Sequence, residues 1–110
     1  MSAQALQALE IANRRRMAGV AIRAEIAALP MADGLRRVAD LLDDPDEEVG
    51  ALRTDRLLTA PHRFGTSKVS QLCIRAPGFQ PTRRLARVRD LTRRERLVLA
   101  TALRRYADGR

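Results

Sequence analysis

The sequence predicts an all-α fold in which a long N-terminal helix precedes a compact bundle of short helices. Three observations favour this fold class. Residues 2–29 contain no proline and are rich in alanine, leucine and arginine, which form helices readily. In the rest of the chain, apolar residues recur every three or four positions, and no segment alternates convincingly between apolar and polar residues as a half-buried strand does. With 110 residues, the chain is long enough for one modest hydrophobic core.

The first predicted element is one helix over residues 2–29. It ends there because the residue before Pro30 is pushed out of the helical conformation. Its apolar residues form an irregular stripe, so we expect the helix to pack along only part of its length. Residues 14–16 are three consecutive arginines that fan through about 200° around the helix axis, so they do not all face one surface.

The second predicted element is a helix over about residues 33–43, for which Asp33 is a suitable N-cap. The acidic residues 43–48 follow it. Because carboxylates are favoured at the N-terminus of a helix, we expect this acidic segment to begin a further short helix. Carboxylates also repel phosphate, so we expect the segment to face away from any bound nucleic acid.

Short helices separated by tight turns are predicted for the second half of the chain. Thr54 is placed to cap a helix that ends before Pro61. Thr66 or Ser67 is placed to cap another helix, which the proline–glycine pair at 77–78 stops. These turns divide the second half into elements of roughly one to three helical turns.

The last predicted elements are a brief helix near Leu85 and a longer helix that opens at Thr92. Glu95 lies three residues after Thr92 and completes the pattern of a capping box. We divide the chain into an N-terminal helical arm, residues 1–30, and a second unit, residues 31–110.

Composition excludes several kinds of site. The single cysteine, Cys73, and the single histidine, His62, cannot form a disulfide framework or a zinc finger. Aromatic residues make up 3% of the chain and tryptophan is absent, which argues against a stacking surface for single-stranded nucleic acid. We interpret Cys73 as a small core residue, since it lies in line with apolar neighbours on one helix face. Because no acid pair or nucleophile–base arrangement stands out, we expect no enzymatic activity, no catalytic residue and no metal or other cofactor.

The sequence also lacks the signals of a membrane or secreted protein. No apolar run approaches the roughly 18–20 residues of a membrane span. The N-terminus has neither the basic start nor the short apolar core of a secretory signal. We therefore expect a cytoplasmic protein with no membrane partner.

Charge is distributed unevenly along the chain. The 21 basic and 13 acidic residues give a formal net charge of +8. Residues 1–50 carry six arginines and nine acids, a net charge of −3, whereas residues 51–110 carry fifteen basic and four acidic residues, a net charge of +11. Twenty of the 21 basic residues are arginine, whose planar guanidinium forks onto phosphate oxygens. This asymmetry indicates a polyanionic partner.

Two basic segments are candidates for binding phosphate. In residues 63–68, Gly65 permits a turn with positive φ, and the unpaired amides of the following helix would meet an anion beside Lys68. An ordinary N-capped turn explains this first pattern equally well. Residues 82–96 carry seven arginines and two acids, a net charge of +5. Because an exposed helix surface normally mixes both signs of charge, the second segment favours phosphate binding.

Several short motifs together resemble the actinobacterial integration host factor family of small nucleoid-associated proteins. They are Asp46-Glu47-Glu48-Val49-Gly50, Leu57-Leu58, Pro61, Gly65, Lys68-Val69 and Pro81-Thr82-Arg83-Arg84-Leu85. The likeness covers about residues 20–105, and its most specific piece is the last, which follows the glycine–lysine turn at the expected interval. The resemblance implies that the bundle contains a helix-two-turns-helix element, which is shared with a small-subunit ribosomal protein and some DNA glycosylases.

The resemblance also implies a function, which is binding to the backbone of double-stranded DNA with little sequence preference, accompanied by bending or compaction. Gly65 and Lys68 match the turn that meets phosphates, and Arg83 and Arg84 match an arginine pair that contacts DNA. Residues 27–31 depart from the family, whose first helix continues with basic residues at that point, so the contact from the first helix is expected to move back to residues 14–16. Such departures indicate a divergent member, of the kind that a phage could encode.

We therefore expect a monomeric, nucleoid-associated protein whose partner is double-stranded DNA. Two alternatives remain open, namely a module that binds structured RNA and an adaptor that docks an acidic protein on the same basic face. The candidate DNA-binding residues are Arg15, Arg16, Arg63, Gly65, Thr66, Ser67, Lys68, Arg83, Arg84 and Arg87.

Overall fold

Helices account for all the regular structure that the computed structural model describes, which covers residues 2–109. The α-helices are α1 (Ala3–Ala27), α2 (Met31–Asp43), α3 (Glu47–Gly50), α4 (Thr54–Leu58), α5 (Thr66–Arg75) and α6 (Arg93–Ala107). Two 3₁₀-helices, Pro81–Leu85 and Val88–Asp90, lie between α5 and α6. Within the described residues no β-strand forms, and the predicted all-α fold with its long N-terminal helix is confirmed. No helix in this part of the chain combines the length and the apolar character needed to cross a bilayer.

The N-terminal helix α1 packs on the rest of the molecule only through its C-terminal part. Residues 6–17 are exposed, whereas Gly19 and Ile26 are buried. The approach at Gly19 is close, because a Cβ atom there would lie 2.8 Å from Cδ2 of Leu52. Partial packing of this helix is therefore confirmed, and the molecule is elongated, with principal extents of 53 × 29 × 23 Å.

The centre of the hydrophobic core lies between α2 and α6, which pack on each other more extensively than any other pair of elements. Leu35 and Leu42 from α2 and Leu99 and Leu103 from α6 are fully buried. Cys73 is also fully buried, so its interpretation as a core residue is confirmed, and burial is the main cause that raises the pKa of its thiol to about 11.

Ion pairs flank the contact between α2 and α6. Arg104 of α6 binds the carboxylates of Asp40, at 2.8 Å, and Asp43. Arg36 of α2 lies 3.0 Å from Asp108, which follows α6. Asp40 and Asp43 of the first half are thus paired with Arg104 at the surface of the bundle, which reduces their repulsion of a distant anion.

The predicted capping box of α6 is confirmed. The Thr92 hydroxyl accepts a hydrogen bond from the backbone amide of Glu95 at 3.1 Å, and the Glu95 carboxylate accepts one from the amide of Thr92 at 2.9 Å. The acidic segment also starts a helix as expected, because Asp46 caps α3 through the amide of Val49.

The other three predicted caps are wrong. The N-cap residues of α2, α4 and α5 are Pro30, Arg53 and Gly65, and none of them makes a side-chain capping bond. Asp33 lies instead in the first turn of α2, where it pairs with Arg36. For Asp33 and Thr54 the reason is that a neighbouring side chain and a distant backbone carbonyl bind them instead.

Thr54 has one of these other roles. Its hydroxyl donates a hydrogen bond to the carbonyl of Ala86 at 2.8 Å, and its backbone amide donates to the same carbonyl at 2.9 Å. The amide of Val88 donates in turn to the carbonyl of Leu52 at 2.9 Å. These bonds tie the start of α4 to the segment between the two 3₁₀-helices and form an isolated antiparallel bridge between Arg53 and Arg87.

Candidate nucleic-acid interface

A groove that we call the arginine groove lies where the C-terminal half of α1 meets the short helices α3 and α4. Its volume is about 310 Å³. Six arginines line the groove, and among the described lining residues Glu48 is the one acid. The six arginines are Arg15, Arg16, Arg23, Arg53, Arg56 and Arg87.

Helical spacing on α1 brings one side of the groove together. Arg16 and Arg23 are seven residues apart, so they lie two turns apart on one face of the helix. Gly19 lies between them on that face, and its missing side chain lets α1 come close to Leu52. The lack of a side chain at position 19 therefore places the two arginines against the body of the protein.

The opposite side of the groove depends on the backbone bridge between α4 and the 3₁₀ segment. Arg53 and Arg87 are partners in this antiparallel bridge, and directly opposed residues project their side chains to the same side. Arg56 lies three residues after Arg53, about one helical turn further along α4. Three arginines from two distant parts of the sequence are thereby held next to one another.

Three of the six arginines have partners within the protein, and the pair that Arg53 forms with Asp55 is bidentate. Arg53 binds Asp55, with Nη2 2.6 Å from Oδ2, and this hydrogen bond raises the pKa of Arg53. Arg15 lies 3.5 Å from Glu47 in an exposed pair, which contributes little in water. Arg87 donates a long hydrogen bond of 3.4 Å to the carbonyl of Ala51.

The remaining three, Arg16, Arg23 and Arg56, make no ion pair with any carboxylate in residues 2–109. Glu48 lines the groove, and Asp55 and Glu47 pair with Arg53 and Arg15, so six guanidinium groups face three nearby carboxylates and an excess of positive charge remains. Like charges held together repel each other, so an anion in this groove would relieve the repulsion. The arrangement is suited to binding several negative charges spaced along a chain.

The basic segment 82–96 does not form one continuous surface. Arg83 is bound by Glu95, with Nε 2.8 Å from Oε2 and Nη2 3.0 Å from Oε1, and it also donates to the carbonyl of Asp90. Arg96 donates a 2.7 Å hydrogen bond to the carbonyl of Leu42 at the end of α2. Two of the seven arginines that favoured phosphate binding by this segment therefore hold the bundle together instead.

Arg84, the second member of the predicted arginine pair, donates a 2.7 Å hydrogen bond to the carbonyl of Pro81. Only Arg87 of this segment reaches the arginine groove, while Arg93 and Arg94 line a different one. The pair at 83 and 84 thus lies outside the place where the arginines are most concentrated.

The turn before α5 leaves the N-terminus of that helix exposed, but its backbone conformation differs from the one considered in the sequence analysis. Gly65 has a φ of −81° and does not use the positive φ that glycine permits, whereas Arg63 has a φ of 58°. Thr66, Ser67 and Lys68 are exposed, and Lys68 donates to the carbonyl of Arg63 at 3.2 Å. These residues are open to solvent at a site separate from the arginine groove.

Of the ten predicted contact residues, the arginine groove collects Arg15, Arg16 and Arg87. Sequence reasoning missed the other three, Arg23, Arg53 and Arg56. Arg23 had a usable signal, because it is seven residues after Arg16 on one helix. Arg53 and Arg56 had none, since the bridge that turns them toward α1 joins residues more than 30 positions apart.

The acidic segment is closer to this groove than the sequence suggested. Glu48 lines the groove, and Glu47 pairs with Arg15. The segment was expected to face away from any bound nucleic acid, and these two residues lie instead beside the arginine groove. The cause is the contact between α1 and α3, which the sequence does not predict.

No family model, curated protein or solved structure matches this chain. The resemblance to the actinobacterial integration host factor family thus stays a hypothesis, and the functional proposal depends on the geometry of the arginine groove.

Proposed function

We propose that this protein binds double-stranded DNA without catalysing a reaction, and that the arginine groove holds the phosphate backbone. The observation that carries the proposal is the convergence of six arginines from three separate parts of the chain on a groove with one described acid. Arginine is the residue best suited to this role, because its guanidinium keeps its charge and binds phosphate oxygens in pairs.

Contacts of this kind position a protein on DNA without reading the bases, so binding would show little sequence preference. An arginine that entered the minor groove would favour A·T-rich or easily bent DNA through the width of the groove. The resemblance to nucleoid-associated proteins supports a role in bending or compacting DNA in the cytoplasm. Arg84 and the turn at residues 63–68 would add to the wider positive field, whereas Arg83 contributes chiefly to the fold because Glu95 binds it.

The proposal is tested by comparing single alanine variants in fluorescence anisotropy with a random-sequence DNA duplex. We expect Arg23→Ala and Arg56→Ala each to weaken binding by about fivefold, or ~1 kcal/mol, because each removes one charged contact to phosphate. Arg37→Ala is the matched control, since Arg37 is exposed on α2 and lines neither groove. If Arg23→Ala and Arg56→Ala bind the duplex as tightly as the control Arg37→Ala does, the groove is not the binding site.

A variant of the opposite sign strengthens the same test. Glu48→Gln removes the carboxylate that lines the groove, so we expect tighter binding to the duplex. Glu10→Gln removes an exposed carboxylate on the free part of α1 and is expected to have a smaller effect. Competition with a hairpin RNA distinguishes the RNA-binding alternative, because an RNA module would release duplex DNA at low hairpin concentration.

A further inference from the structure

A second groove, which we call the α5–α6 groove, lies between helices α5 and α6 and has a volume of about 720 Å³. Its floor is apolar. Leu97 and Tyr106 on this floor are 42% and 40% exposed, so the described part of the chain leaves a substantial apolar surface in contact with water. Apolar surface held in a groove is typical of a binding site for another molecule.

The lining residues form two straight stripes. On α6 they begin at Arg93 and recur at every turn up to Tyr106, a length of about 20 Å at 1.5 Å per residue. On α5 they run from Lys68 to Arg75, again at helical spacing, and Ala76 follows directly after the helix. The two stripes form the sides of a trough, and the stripe on α6 is as long as a helix of about 13 residues.

The rim of the trough is cationic. Five basic residues line it and the described lining holds no acid; they are Lys68, Arg75, Arg93, Arg94 and Arg105. None of the five forms an ion pair with a carboxylate in the described residues. The complementary ligand therefore has one apolar face and negative charges along its edges.

We propose that the α5–α6 groove binds an acidic amphipathic helix of a partner protein. The apolar face of such a helix would cover Leu97 and Tyr106, and its flanking carboxylates would meet the basic rim. This inference is independent of the DNA-binding proposal, which rests on the other groove.

The groove fits this ligand better than the two obvious competitors. A DNA backbone carries charge but has no apolar face, so it gains nothing by covering the floor. A second copy of the chain offers α1 as its longest exposed helix. Residues 3–18 of α1, however, contain three arginines and one glutamate and would be repelled by the rim.

The test uses the full-length protein and a fluorescein-labelled synthetic peptide of 13 to 14 residues, with leucines at helical spacing and glutamates elsewhere. A scrambled peptide of the same composition has the same charge but no apolar face. We expect the scrambled peptide to bind at least tenfold more weakly. Equal affinity of the two peptides, or no binding of either at about 1 mM, would overturn the proposal.

Variants locate the binding. Leu97→Gln and Arg105→Glu are each expected to weaken binding of the amphipathic peptide at least tenfold. Leu85→Gln and Arg37→Glu are the matched controls, since Leu85 is an exposed leucine and Arg37 an exposed arginine outside the groove, and both should bind the peptide normally.

Two further measurements test whether DNA or a second copy of the chain, and not an acidic helix, fills the α5–α6 groove. We expect Leu97→Gln to leave the affinity for duplex DNA unchanged, and a loss of DNA affinity equal to the loss of peptide affinity would overturn the proposal. We also expect Leu97→Gln to leave the sedimentation coefficient unchanged. If the protein is a dimer that this substitution dissociates, a second copy fills the groove and the proposal is wrong.

Discussion

At the scale of single residues, Glu95 takes part in two interactions that stabilise the fold. Its carboxylate closes the capping box of α6 and also binds the guanidinium of Arg83. The hydrogen bond from Arg83 is the main cause that lowers the pKa of Glu95 to about 2, the amide of Thr92 adds to the effect, and burial opposes it. One acidic side chain thus links the first 3₁₀-helix to the start of the last helix.

This pKa shift predicts a pH dependence of stability. The carboxyl group has a lower pKa in the folded chain than in the unfolded chain, so its contribution to stability is complete above about pH 5 and is lost as the pH falls toward about 2. We expect Glu95→Gln to lower the free energy of unfolding more at about pH 7 than at about pH 3. Urea unfolding at both pH values measures the difference.

Glu25→Gln is the control for this measurement, because Glu25 is exposed and makes no ion pair with the described residues. Its stability should follow that of the unmodified protein at both pH values. If Glu95→Gln behaves in the same way as this control, the ion pair with Arg83 does not stabilise the fold.

Residue roles were the part least accessible from the sequence. Arg83 looked free for phosphate because its partner is 12 residues away in another element. Gly65 looked like the residue with positive φ because glycine adopts it most easily, yet Arg63 adopts it instead. Both outcomes depend on contacts between elements, and no local pattern reports those contacts.

At the scale of elements, local signals predicted the longer helices and their approximate ends but failed at three of the N-caps. α1 and α6 follow from helix-forming composition and from the capping box, both of which act within a few residues. Caps at α2, α4 and α5 were assigned from residue type alone, but none of these helices has a side-chain capping bond, and Asp33 and Thr54 bind other groups. A suitable residue type is necessary for a cap but does not determine the helix boundary.

The difference between a formed cap and an expected one can be measured. Thr92→Ala removes the hydroxyl that binds the amide of Glu95, so we expect a loss of about 1 kcal/mol in the free energy of unfolding. Ser67→Ala, in an exposed position at the start of α5 with no capping bond, should change it by less than about 0.5 kcal/mol. Urea titrations followed by circular dichroism measure both values, and equal losses would contradict the assignment of caps.

At the scale of the whole molecule, the charge asymmetry of the sequence does not become one basic face. Basic residues of the second half are divided between two grooves and the ion pairs of the bundle. Three of the six arginines that line the arginine groove are Arg15, Arg16 and Arg23. They lie in residues 1–50, which carry a net negative charge. The sequence indicated a polyanionic partner, but the site itself depends on where α1 packs.

The salt dependence of binding to a random-sequence DNA duplex tests the proposed function most directly. Four to six arginines of the groove are placed to neutralise phosphates, so log affinity plotted against log salt concentration should have a slope between about −3.5 and −5.5. Arg56→Ala should reduce the magnitude of this slope by about 1, and Arg37→Ala should not change it. A flat response between about 50 and 200 mM salt would contradict backbone binding by the arginine groove.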